Sequence, residues 1–357
     1  MTTQRIKKTF FELVRIDSPS GEETKVAQYI VKYLKQFKIK STKDSNGNII
    51  VKVPGQGRPL MLAAHMDTVN PGKGILPVIK NDVIRSKGDT VLGADDKAGI
   101  TIILEALRYL KEKNIKHSPL ELVFTREEET GLIGASKLNY KKLSAKEALV
   151  LDSDGAPGGI TIAAPFLYLM DIEVTGKAAH AGAAPEKGIS AIQIAGKAIA
   201  ELKLGRINKS TSNNIGIIDG GNARNVVPDI VKIKAEARSH KLETAQKQVD
   251  LFNKVFKKYV RAYKGKLKFK ASLEVLGYKY SRTDEFIKSI VITNKKLNIR
   301  TRFEVSGGVS EASIYTGKGI KAIDISAGYL NMHSTKESIK LAHMLKLVNF
   351  LVDFVRI

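Results

Sequence analysis

Five short stretches place metal-ligating or proton-carrying side chains together: His65-Met66-Asp67, Gly93-Ala94-Asp95-Asp96-Lys97-Ala98-Gly99, Arg126-Glu127-Glu128-Glu129-Thr130-Gly131, Leu151-Asp152-Ser153-Asp154-Gly155 and Met332-His333-Ser334. In an extended segment, residues two apart point the same way. Asp67 can therefore accept the second N–H of His65, fixing the imidazole tautomer and leaving the other nitrogen as a stronger ligand. The adjacent carboxylates of Asp95 and Asp96, and the run Glu127-Glu128-Glu129, repel each other unless cations offset them. Each stretch also has an ordinary explanation. An aspartate in a first helical turn caps it, Asp-Ser-Asp-Gly can close an Asx-type turn, and glutamate runs are usually solvated loops. Capping explains one aspartate of the pair. It does not explain the small residues on both sides, which suit close approach by a bulky centre. Two histidines with several carboxylates and no sulfur form a hard nitrogen and oxygen donor set, suited to zinc, manganese or cobalt. Two such metals ~3.5–4 Å apart activate water and polarise a carbonyl.

The elements around these stretches give them one address. Asn48–Val53, Pro59–Ala64, Leu120–Thr125 and Glu147–Leu151 read as strands, the last two apolar enough to be buried on both faces. Lys97–Lys113 carries Ile100, Ile103, Leu104, Leu107 and Leu110 at helical spacing. Alternation of this kind predicts an α/β layered domain, and ligands of such sheets bind at the carboxyl ends of the strands. Four of the five stretches follow a strand or open the helix after one. Beyond Pro165 the texture changes. Phe166–Thr175, Asn214–Ile218, Ile230–Ser239 and Leu267–Leu276 read as strands, and Gly188–Leu202 and Leu242–Tyr263 as helices. That strand-helix-strand-strand-helix-strand order is the split βαβ pattern of a ferredoxin-like α+β sheet. The expected organisation is an α/β domain over 1–165 and 277–357, interrupted by an inserted domain over 166–276.

Composition narrows the classes further. The chain has 357 residues, 43% hydrophobic and 27% charged, with no cysteine. Cysteine-free sequence excludes disulfides, thiolate metal sites and a cysteine nucleophile, and with no signal peptide in sight it points to the cytoplasm. No apolar run reaches the ~18 residues of a membrane helix. The formal charge of +23 raises nucleic-acid binding as a hypothesis. The lysines are scattered, however, and the densest run, Lys257 to Lys270, alternates with apolar residues like a helix leading into a strand. A lysine-rich solvated surface is the preferred reading, with no specific nucleic-acid or membrane partner expected.

Together these residues resemble the co-catalytic zinc metallopeptidase family of glutamate carboxypeptidase, aminoacylase, succinyl-diaminopimelate desuccinylase and peptidase T, most of all its peptidase T-like members. The strings HMDTV, GADDKAG, FTREEETG, LDSDG and NMHSTKE occur in the family's order, and GKAAHAGAAPEKGISAI, GGNARNVVPD and EARSH fall in the inserted segment. The resemblance implies a zinc-peptidase catalytic domain with a mixed central sheet, and an inserted lid and dimerisation domain that makes a homodimer. It implies His65, Asp95, Glu129 and His333 as ligands of two zinc ions, with cobalt or manganese as substitutes, Asp67 as the residue that orients His65, and Glu128 as general base. The fifth ligand is Asp152 if the strand is aligned and Asp154 if the glycine is; Asp152 is chosen because it emerges directly from the strand. His180, Asn225 and Arg238 would contact substrate, although a surface salt bridge is the simpler reading of Arg238. Gly307-Gly308 resembles the family's glycine loop. Lys97 is expected to pair with a carboxylate.

The function these expectations add up to is cleavage of short peptides by an aminopeptidase of the tripeptidase kind, with Glu128 moving the water's proton. An amidohydrolase of N-acyl amino acids is the first alternative, and a non-catalytic polyanion-binding protein the second.

Overall fold

The computed structural model describes residues 2–357. The chain folds into two compact units. The first runs as far as Ile162 and resumes over Tyr280–Val305 and Ser310–Ile357; the second is Ala163–Lys279 with Ser306–Val309.

The first unit is built on a mixed sheet. Its strands lie in the order Ser41–Lys43, Ile49–Val53, Leu120–Thr125, Leu60–His65, Glu147–Ser153, Lys321–Ser326 and Gly159–Ala164. Leu60–His65 runs parallel to both Leu120–Thr125 and Glu147–Ser153, and Lys321–Ser326 runs parallel to the latter. Leu60–His65 and Leu120–Thr125 are buried along their whole length, as expected where helices cover both faces. The helix Ala94–Glu112 crosses the sheet almost entirely buried, packed against Thr3–Val14 and Leu341–Val355. The N-terminal helix turns Ile6, Phe10, Leu13 and Val14 inward at helical spacing. It is also latched to the long helix by the buried Glu105, which accepts from Arg5 Nε (2.6 Å), Thr9 Oγ1 (2.7 Å) and Tyr33 OH (2.9 Å). A small second sheet, not anticipated from the sequence, joins Tyr329–Leu330, Ser338–Lys340, Val83–Ser86 and Pro77–Lys80. Its strands have two to four residues, too short for a period-2 pattern to register.

The second unit is an antiparallel sheet in the order Gly205–Asn208, Thr211–Gly220, Ile230–Ser239, Phe166–Thr175 and Lys266–Val275. Its four long strands have the order of a ferredoxin-like fold. The helices Ala191–Glu201 and Leu242–Ala262 pack on it, burying Ile194, Ala198, Phe252 and Phe256 against Ile172, Val174, Val231 and Ile233. The first helix starts at Ala191 rather than Gly188 because Ser190 caps it, its Oγ accepting from Gln193 N at 3.2 Å. On the outer face of the sheet, charges alternate across strands. Lys232 lies between Asp219 and Glu173, with Lys268 beyond, and Lys234 and Lys270 flank Asp171. Opposite charges in register stabilise such a face. Much of the lysine content is thus placed on solvated sheet and helix surface. No helix among the described residues is long and apolar enough to cross a membrane.

Candidate metal centre

The parallel strands bring three of the five stretches level with one another. His65 ends its strand in register with Thr125, so the chain leaving Thr125 reaches Glu128 and Glu129 just above it. On the other side Ala63 pairs with Val150, which puts Asp152 level with His65. Asp67 ties this edge together. Its Oδ1 accepts from Glu128 N (3.0 Å), its Oδ2 accepts from Glu129 N (3.1 Å) and Ser20 Oγ (2.7 Å), and His65 Nδ1 lies 3.3 Å from Oδ1. The glutamate loop is further held by the buried Glu23, which accepts from Glu127 N (3.0 Å) and Arg126 Nε (2.6 Å).

Asp95 arrives from the start of the long helix. Gly93 has the left-handed φ of +68°, and the helical geometry is broken at Asp95 and Asp96, whose connecting peptide is cis. The aspartates divide their tasks. Asp96 Oδ1 caps the turn by accepting from Gly99 N at 3.0 Å, and Asp95 points away. A Cβ on Gly99 would sit 2.4 Å from that Oδ1. The small residue there serves the cap and not, as its position in the sequence implied, room for a metal.

His333 comes from the loop between Tyr329–Leu330 and Ser338–Lys340. The two oxygens of Asp95 then face different histidines. Oδ1 is 3.0 Å from His65 Nε2, and Oδ2 is 3.2 Å from His333 Nε2. Asp152 Oδ1 is 3.5 Å from His65 Nε2, and Glu129 Oε2 is 3.0 Å from His333 Nε2. Three groups of ligand atoms lie within 4.8 Å of one another: His65, Asp95 and Asp152; Asp95, Glu129 and His333; His65, Glu128 and Glu129. The structure brings Asp152 into this cluster and leaves Asp154 exposed.

The electrostatics fit a cationic occupant. Burial, followed by repulsion from Asp152, pushes the Glu128 carboxyl well above the usual carboxylate range. Burial also drives Asp152 up, with Asp95 adding to it. Desolvation alone would lower His65, but Asp152, Asp67 and Asp95 outweigh it and raise it well above its ordinary value. His333 is raised to about 10 by its contacts with Asp95 and Glu129. So many carboxylates crowded on two imidazoles are under-neutralised, and a hard N/O donor set of this kind suits divalent cations.

Lys97 departs from expectation. Its buried ammonium donates to Ile16 O at 2.8 Å rather than bridging a carboxylate, and burial lowers its pKa to about 8. Its neighbour in space, Ile16, follows the first helix, just past the capping residue Arg15. In the second unit, Ala181 N donates to Asn225 O at 2.9 Å, so His180 and Asn225 share one corner. His180 Nδ1 accepts from Gly182 N (3.2 Å) and Ala183 N (3.0 Å), which assigns the proton to Nε2. Arg238 forms a two-pronged ion pair with Glu236, at 2.9 and 3.0 Å.

Three residues at the centre escaped the sequence reading. Tyr329 OH lies 3.3 Å from Asp95 Oδ1 and 3.2 Å from Asp152 Oδ1. Asp324 accepts from Asp152 N at 3.2 Å. Glu337 accepts from the backbone of the Asp95 turn. Tyr329 and Asp324 stand in apolar runs that read as core; Glu337, four residues past His333, looks like loop.

Comparison with known proteins agrees with this geometry. Residues 168–264 match the family description "Peptidase dimerisation domain", and residues 48–177 match "Peptidase family M28". The chain is similar to the aminopeptidase PepT of Bacillus cereus ATCC 10987, at 37% identity and a TM-score of 0.90 over 99% of this chain and 98% of that one. It is similar to a tripeptidase of Staphylococcus aureus at 33% identity and a TM-score of 0.93, with the same coverage. It is also 35% identical to the uncharacterized protein YqjE of Bacillus subtilis (strain 168), over 99% of this chain and 98% of that protein. A hard-ligand cluster at the carboxyl ends of the parallel strands of a mixed sheet and whole-chain likeness to peptidases lead to one conclusion: the chain belongs to the co-catalytic zinc metallopeptidase family, among its peptidase T-like members, and is a metal-dependent peptidase.

Proposed function

We propose that this enzyme is an aminopeptidase that removes the N-terminal residue of short peptides, tripeptides foremost, using two zinc ions that cobalt or manganese can replace. The observation that carries the reading is the placing of Asp95, with one oxygen toward His65 and the other toward His333. His65, Asp95 and Asp152 would hold one ion, and Asp95, Glu129 and His333 the other. When bound, such ions supply Lewis acidity and a nucleophilic water at neutral pH. The protein's own groups do the rest. Asp67 holds His65 in one tautomer and pins the backbone of Glu128 and Glu129. Glu128 takes the proton of the attacking water at its carboxylate and returns it to the leaving amine. His180, with its proton on Nε2, is a donor suited to a developing oxyanion. Asn225 and Arg238 are the proposed substrate contacts; Arg238 would have to exchange Glu236 for a substrate carboxylate.

The substrate test is a metal-replete assay of a tripeptide beside its N-acetylated form. Cleavage of the free-amine peptide alone is expected. Preferential cleavage of the acetylated one would make the protein an N-acyl amino acid hydrolase instead.

The inserted segment 166–276 is proposed as lid and dimerisation domain. Gly205–Asn208 covers only the start of its neighbour strand, so Asn214–Gly220 forms an uncovered edge on which Ile217 and Ile218 are more than half exposed. An unpaired apolar edge is a template for a second chain. Sedimentation should find a dimer in the wild type and a monomer in Ile217→Lys; a monomeric wild type would refute the dimer.

A further inference from the structure

His333 is the least anchored of the residues around the metal centre. His65 and Asp152 extend from buried strands, whereas Asn331–Lys336 is a turn with no buried residue, and His333 itself has φ +58°. The turn closes on itself through Ser334 Oγ to Asn331 O (2.7 Å) and Glu337 N to Ser334 O (3.0 Å). Glu337, the first buried residue after it, is 1% exposed. Its carboxylate is not directed at the cluster. Oε2 accepts from Leu92 N (2.7 Å) and Gly93 N (2.8 Å), and Oε1 accepts from Asp95 N (2.9 Å). One carboxylate therefore joins the turn bearing His333 to the turn bearing Asp95, more than two hundred residues away in sequence.

We infer that Glu337 is a positioning residue for one of the two metal sites: by clamping the Leu92–Asp95 turn it sets the separation of Asp95 and His333. This rests on the ligand sets proposed above. The two sites differ in what they owe to Glu337. His65 and Asp152 keep their register through strand pairing without it. The Asp95, Glu129 and His333 set has two of its three members on turns that Glu337 joins, whereas the His65, Asp95 and Asp152 set has only the shared Asp95 on one. A purely structural part is the competing explanation, since the three donors are free N–H groups at the start of a helix that any buried carboxylate would stabilise.

The test is a titration of the metal-free full chain with cobalt(II), followed by visible absorption, in wild type, Glu337→Gln, His333→Ala and Glu121→Gln. A glutamine in place of Glu337 keeps the side chain's shape but loses an acceptor and the charge. Glu121 is a matched control: its carboxylate also accepts backbone N–H groups, from Ser144 and Ala145. Two cobalt steps in the wild type are required by the ligand sets; their absence would refute those sets rather than the inference. In Glu337→Gln one step should weaken about 10- to 100-fold, the usual cost of losing an outer support, with the other within about 3-fold. That step should be the one His333→Ala removes. Glu121→Gln should lower thermal stability without splitting the steps. If Glu337→Gln leaves both steps unchanged, or weakens both equally while losing stability as Glu121→Gln does, Glu337 is a structural cap and the inference fails.

Discussion

Glu128→Gln is expected to lower kcat/KM by about 10²- to 10⁴-fold while the protein still takes up two metal ions per chain. That is about 3–5 kcal/mol of transition-state stabilisation. The side chain qualifies on position and on charge. It lies in one group with His65 and Glu129, its backbone is pinned by Asp67, and burial raises its carboxyl well above the ordinary range. A proton acceptor is most effective when its pKa approaches the working pH. Glutamine keeps the shape and removes the basicity. Its neighbour Glu127 anchors the loop through its backbone, so Glu127→Gln should leave turnover nearly intact. Metal content by atomic emission and steady-state kinetics on a tripeptide decide the matter: near-wild-type turnover in Glu128→Gln with both metals present would remove Glu128 from the mechanism.

Asp95→Ala should cost both metals, with activity falling to background. The reason is the shared carboxylate: its two oxygens reach 3.0 Å from His65 and 3.2 Å from His333, so its loss depletes each ligand set. Affinity should drop more than about 10²-fold at both sites, beyond what the loss of a mere supporting group costs. Asp152→Ala should weaken only the site of His65, and Asp154→Ala, which removes an exposed side chain, should weaken neither. Metal counts near zero, one and two per chain for the three variants are the expected pattern. A full complement of metal in Asp95→Ala, or a loss caused by Asp154→Ala, would overturn the ligand assignment.

The elements around the centre were legible to different depths. Leu120–Thr125 and the Ala148–Leu151 stretch of Glu147–Ser153 are buried, mostly apolar runs with few polar interruptions, and such runs announce themselves. Ser338–Lys340 and Tyr329–Leu330, which deliver His333, are too short to carry a pattern. Residue chemistry alone does not separate Asp95 from Asp96; the family resemblance favours Asp95, and the broken helix start shows Asp96 as the cap and Asp95 facing the histidines.

Residue types and their order were enough to determine a hard-ligand metal centre, an α/β frame and a ferredoxin-like insertion. Donor chemistry and burial periodicity are local properties, written into each short segment. What only the tertiary structure decided is where each carboxylate sits relative to the histidines. Asp152 rather than Asp154 meets His65 because of strand register. Asp95 turns one oxygen to His65 and the other to His333 because the loop after Tyr329–Leu330 returns beside the start of the long helix. Those outcomes depend on distances between segments far apart in the chain, and no local pattern encodes them.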